Sequence, residues 1–152
     1  MIGNRRSAAL VAAAVLPALW ISVRAESGPG AAESQATVCE GVYSMAQAQG
    51  GQKIFAAQCS QCHGANFRGG FGVASLAGPA FTTWWGDKTL WSLFDRMKST
   101  MPLDSPGKLS DQSYIEILAR ILEVNDFPAS DVAELPLQRE KLERLSLPEQ
   151  CP

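Results

Sequence analysis

The chain has 152 residues, enough for one domain and a removable leader but not for two sizeable cores. It is 46% hydrophobic and 18% charged with a formal net charge of −2, an ordinary globular composition that disfavours nucleic-acid binding. A single histidine, His63, excludes a multi-histidine metal cage and leaves no second imidazole to act as a catalytic base.

In chain order, residues 1–25 read as a secretion signal: a basic Asn4-Arg5-Arg6, then an apolar run from Ala8 to Val23, then Val23-Arg24-Ala25 at the cleavage position. The cut is placed after Ala25, with an alternative near Ala32. An uncleaved anchor is the competing reading, but the run is short for a bilayer and Pro17 interrupts it. Removing the leader takes three arginines and leaves the mature chain at −5. The charge is uneven, with an excess of three bases over residues 51–110 and of five acids over residues 111–152.

Residues 26–42 read as an extended, weakly ordered arm broken by Gly28, Pro29 and Gly30. A first helix is expected over residues 51–62, turning Ile54, Phe55 and Cys59 inward. Residues 64–86 form a long glycine-rich loop, a length that implies a function such as covering a flat ligand. Leu90, Leu93, Phe94 and Met97 recur at helical spacing, so a second helix fits residues 89–100. Met101-Pro102 ends it, because proline disfavours helical geometry in the residue before it. A third helix spans residues 111–125 behind Ser110 as N-cap, with Tyr114, Ile117, Leu118, Ile121 and Leu122 on its apolar face. Residues 129–152 read as a charged tail with one short surface helix between Pro136 and Leu145. No strand is expected, so the fold class is all-α. Three helices make a thin core for the mature chain, which a buried prosthetic group would staple.

The loudest local signal is Cys59-Ser60-Gln61-Cys62-His63. On a helix the two thiols, three apart, share a face with the imidazole four from Cys59. Both sulfurs can bond the vinyl groups along one haem edge while the next residue places an imidazole under the iron; C-x-x-C-H is the sequence form of that arrangement. A thioredoxin-type dithiol needs a preceding strand, and a zinc site needs four ligands, which Cys39 and Cys151 do not supply at paired spacing. The expected cofactor is therefore one covalent haem c, with His63 as an axial ligand. Met45, Met97 and Met101 are the candidates for the sixth position. Met101 is preferred, since it lies 38 residues beyond His63 at a helix end; Met97 continues a core stripe and Met45 reads as local packing. An open distal position or a lysine ligand stays as the alternative. The second ring N–H of His63 should meet a carbonyl within residues 76–79, which puts Leu76 and Pro79 against the haem. Trp84 is a candidate partner for a haem propionate.

Together CSQCHG, LAGPAF, the TMP around Met101 and the closing SYIEILARIL resemble the class I c-type cytochromes over roughly residues 41–128. The likeness is greatest to small bacterial monohaem cytochromes and to the cytochrome domains of quinoprotein dehydrogenases. It implies a cytochrome c fold, three or more helices wrapped round one haem over residues 43–128, with His63 and Met101 as axial ligands. In that family the first and last helices cross through a glycine and aromatic contact, for which Gly51, Phe55 and Tyr114 are the matching residues. Two features depart from the pattern: Val73-Ala74-Ser75 stands where relatives often carry prolines, and Cys39 and Cys151 are extra. Since family members bring their first and last helices together, the flanking arms can meet in a Cys39–Cys151 bridge, which an exported compartment favours; two free thiols or a bridge to a partner protein are the competing readings.

The resemblance implies a periplasmic single-electron carrier rather than an enzyme, passing electrons from a donor dehydrogenase toward a terminal oxidase or other acceptor. The alternatives are a cytochrome subunit of a dehydrogenase complex, or a haem peroxidase or gas sensor with an open distal site. The expected partners are redox proteins, with a membrane involved only if the leader is uncleaved. Arg68, Lys88, Arg96, Lys98 and Lys108 point to an acidic partner surface, with a solvated basic face as the competing reading.

Overall fold

Two helices set the frame, and they meet where one of them has no side chain. The computed structural model describes residues 36–152; the expected leader and residues 26–35 of the arm lie outside the described residues. Helix α1 (Met45–Gln58) starts at a capping box. Gln47 N donates to Ser44 Oγ and Ser44 N to Gln47 Oε1, both at 3.2 Å, so two orphan amides are satisfied reciprocally. Helix α5 (Asp111–Val124) starts at Ser110, whose hydroxyl accepts from Ser113 N at 3.1 Å. Gly51 is buried at the crossing, where a Cβ would lie 1.9 Å from Glu116 O. The expected glycine contact is therefore present. The aromatic part differs, because Phe55 stacks on Phe67 at 3.7 Å while Tyr114 meets Phe94 edge-on at 6.2 Å.

Between these helices run α2 (Ser60–His63), α3 (Pro79–Trp85) and α4 (Leu90–Thr100). Helix α4 follows its expected bounds, with Thr89 accepting from Ser92 N as N-cap and Leu90, Leu93, Phe94 and Met97 buried. The expected first helix is corrected: it begins six residues earlier, at Met45, and breaks at Cys59 before the short turn of α2. The glycine-rich loop is also corrected, since it contains α3. Pro79 stands at the first turn of that helix, where its missing N–H costs nothing, and Phe81 is fully buried.

The expectation of an all-α fold without strands is corrected as well. Short strands β1 (Ala36–Thr37), β2 (Lys88–Thr89) and β3 (Leu145–Leu147) form one sheet in the order β1-β3-β2. β3 pairs parallel to β1, with Ala36 opposite Leu145, and antiparallel to β2, with Lys88 opposite Leu147. Strands of two or three residues carry no alternation to read; tertiary pairing sets them. Even so, the six helices cover about half of the described residues.

The tail does more than form a surface helix. Helix α6 (Arg139–Glu143) appears within the expected stretch, but Leu135, Leu142 and Leu147 are all buried in the core. Gln47, itself buried, holds the tail at both backbone polar atoms of Leu135, accepting from its N at 2.9 Å and donating to its O at 3.1 Å. Beyond β3, Cys151 is disulfide-bonded to Cys39, with Cα atoms 5.5 Å apart. Residues 129–152, a strap rather than a free tail, are thus tied to residues 36–42. Among the described residues no helix is long and apolar enough to cross a membrane.

Candidate cofactor site

The site grows from the C-terminus of α1. Cys59 leaves helical geometry (φ −125°, ψ −32°), yet its N–H still reaches Phe55 O at 2.9 Å. The chain then re-enters a single turn in which Cys62 N and His63 N both donate to Cys59 O, at 3.2 and 3.0 Å. Cys59, Cys62 and His63 are thereby fixed on one turn rather than along one continuous helix. The Cys59 thiol is half-buried against the core and that of Cys62 is exposed. Burial, and then the neighbouring Cys62, push the Cys59 thiol up to about 11, so it is a protonated thiol near neutral pH. Neither joins the disulfide: the two extra cysteines bridge each other and leave the C-x-x-C pair available.

His63 is held from two sides. Its Nδ1 lies 3.0 Å from Ala74 O, and its own carbonyl accepts from Gly69 N at 2.8 Å. A backbone carbonyl can only accept, so Nδ1 carries the proton and Nε2 presents its lone pair. The acceptor lies two residues before the expected window of residues 76–79. The reason is local: Gly70 and Val73 pair in a tight turn, with Val73 N donating to Gly70 O at 3.0 Å, which brings the chain back early. Gly69 makes that turn possible. Its φ is +65°, and a Cβ there would lie 2.5 Å from Val73 O and 2.9 Å from Ala74 O. The segment Val73-Ala74-Ser75, already marked as a departure, is where the difference sits.

Leu76 is next along this wall. Its N–H donates to Phe67 O at 2.7 Å, and its carbonyl accepts from Asn125 Nδ2 at 2.9 Å. Asn125 also accepts from Gly78 N at 2.8 Å and donates to Ile121 O at 2.8 Å. This side chain, at the C-terminal end of α5, clamps the loop to the last helix. Sequence reasoning passed over it, although asparagine just past an apolar helix is a signal that could have found it. Pro79 opens α3 and is exposed. Trp84 is 71% exposed; its hydrogen-bonded and ring partner is Lys88, which donates to its carbonyl and lies 6.0 Å from its ring.

Met101 is half-buried at the end of α4. Its N–H donates to Met97 O at 2.8 Å, and its carbonyl accepts from Tyr114 Oη at 2.6 Å and Gly107 N at 3.4 Å. Met97 lies in the core stripe, and Met45 is exposed at the first turn of α1. Of the five basic residues, Lys98 pairs with Asp111 at 2.6 Å and Lys88 is engaged with Trp84 and Trp85; Arg68, Arg96 and Lys108 are exposed.

Two unbridged thiols three apart and an imidazole protonated at Nδ1 could hold a covalent haem, with the Met101 thioether a further candidate ligand. Among the described residues no group of three or more His, Cys, Asp or Glu side chains converges as a metal cage would. A groove of about 500 Å3 beside Arg68, Arg120, Asn125 and Glu149 includes none of these donors.

Residues 46–119 match the family model described as cytochrome C oxidase, cbb3-type, subunit III. No curated protein and no solved structure matches the chain significantly.

Proposed function

Residues 46–119 are a cytochrome c domain, of a family that binds c-type haem covalently, and on that premise we propose an exported one-electron carrier ligated by His63 and Met101. Cys59 and Cys62 carry the thioether bonds. Bound there, the haem supplies a one-electron iron couple whose potential the thioether ligand raises. The chain's own residues do the rest. Ala74 fixes the His63 tautomer and raises its basicity. Leu76 and the buried core limit water access, and the unchanged ligand set on both sides of the couple keeps reorganisation small.

The observation that carries this reading is the pairing of cysteines: Cys39 and Cys151 bridge each other, while the thiols of CSQCH stay unpaired beside an oriented imidazole. The bridge also supports an exported, periplasmic location, since disulfides persist in oxidising compartments. Donor and acceptor are redox proteins, for which we favour a dehydrogenase and a terminal oxidase. The matched family's description as an oxidase subunit supports the second. We take residues 43–128 as the cytochrome domain and residues 129–152 as its strap.

The test is the visible spectrum of the exported, purified protein, oxidised and reduced, with a denatured haem assay for the thioether bonds. Sharp low-spin reduced bands and a weak far-red ferric band are expected. Covalent haem without that band, or with high-spin iron, would sink the Met101 ligation and make ligand binding the leading function.

A further inference from the structure

We infer that Tyr114 is the positioning residue for Met101, a latch between the last helix and the sixth ligand's backbone; this rests on the proposed ligation by Met101. The Tyr114 hydroxyl donates to Met101 O at 2.6 Å, the shortest bond that carbonyl makes; Gly107 N reaches it at 3.4 Å. The ring cannot drift, because it is fully buried on α5 and set edge-on against Phe94 of α4 at 6.2 Å, with the planes at 79°. On its other side Met101 N donates to Met97 O at 2.8 Å. Both backbone polar atoms of Met101 are therefore tied, one to its own helix and one to α5. With N and C=O fixed, the direction of Cβ is fixed, and the thioether starts from a set origin. Met101 lies between helix and loop, so without the phenol its carbonyl keeps only the long bond from Gly107. Tyr114 does not touch the iron; it acts through the backbone of the residue that does.

The test is Tyr114→Phe in the holoprotein, with Tyr43→Phe as the matched comparison. Tyr43 also donates a buried hydroxyl to a backbone carbonyl, but to Phe127 O at 2.8 Å rather than to Met101 O. Imidazole is added to ferric protein and displacement of methionine is read as loss of the far-red band. Loss of one buried hydrogen bond should raise the apparent imidazole affinity about five- to tenfold in Tyr114→Phe. Tyr43→Phe should titrate as wild type, although urea stability falls comparably in both. A purely structural role for Tyr114 predicts equal imidazole affinity in the two variants, and that result overturns the inference. Absence of the far-red band in wild type would mark a different failure: the ligation reading falls first, and the latch with it.

Discussion

A Cβ on Gly51 would lie 1.9 Å from the carbonyl oxygen of Glu116, so α1 and α5 touch backbone to backbone. This contact governs more than packing. CSQCH follows directly from α1, and α5 supplies both Tyr114, which holds Met101, and Asn125 just beyond its end, which holds Leu76. The crossing therefore sets the separation of the two sides of the proposed site.

Gly51→Ala should cost about 3 kcal/mol or more, because the obstruction is backbone and cannot swing away. Gly50→Ala is the comparison. Its Cβ would meet the Glu116 carboxylate at 2.5 Å, the far end of a side chain that can rotate, so a cost below about 1 kcal/mol is expected. Urea unfolding of both holoproteins decides. Equal, mild effects would mean that the helices separate easily and that the crossing does not set the site.

Gly69→Ala should disturb the tuning of His63. The new methyl would press on Val73 O and Ala74 O, and the positive φ of residue 69 adds strain. If the Ala74 carbonyl moves away from Nδ1, the imidazole loses basicity and donates less to ferric iron. The midpoint potential should rise, measured by spectroelectrochemistry. An unchanged or lowered potential would show that the carbonyl does not control the ligand.

The legible parts of the fold are those with a local signal. Helices α4 and α5 announce themselves by an apolar stripe and a hydroxyl N-cap, Thr89 and Ser110. The start of α1 is hidden because MAQAQGGQ has no apolar face; its capping box Ser44/Gln47 is the only cue. The Pro79 signal for α3 was present but masked by the glycines around it. CSQCH is legible because its chemistry is local; a lone methionine carries no such signal, and Met101 stands as a proposed ligand. The acceptor for His63 could not, since the register of residues 69–74 depends on how tightly one turn closes. Nor could the sheet, whose strands exist only because residues 36–37, 88–89 and 145–147, far apart in the chain, meet.

The Cys39–Cys151 bridge spans 112 residues, and in the chain-entropy model closing such a loop stabilises by about 4–5 kcal/mol. The double variant Cys39→Ser/Cys151→Ser should lose most of this in urea unfolding. Amide exchange should speed up in β1 and β3, which lie next to the two cysteines. The far-red band should persist, because every proposed ligand lies between residues 59 and 101. A loss under about 1 kcal/mol would mean that the Gln47–Leu135 bonds and the sheet already hold the strap.

Tyr43 gives a stability term with a defined pH window. Burial chiefly, with the Glu123 carboxylate adding and the Arg120 guanidinium opposing, raises its phenol from 10.0 to about 12. The folded state thus favours the neutral phenol, which donates to Phe127 O. A raised folded value means the contribution is complete below pH 10 and is lost as the pH climbs from 10 toward 12. At pH 8, Tyr43→Phe should be less stable than wild type by about 1 kcal/mol, the worth of the lost hydrogen bond. Above pH 10 the unfolded tyrosine ionises and the unfolded phenylalanine does not, so the gap should close and then reverse. Other groups titrate alike in both proteins and cancel in the difference. Urea midpoints at pH 8, 10 and 11.5 test this; a gap constant across the series would mean that Tyr43 ionises as freely folded as unfolded.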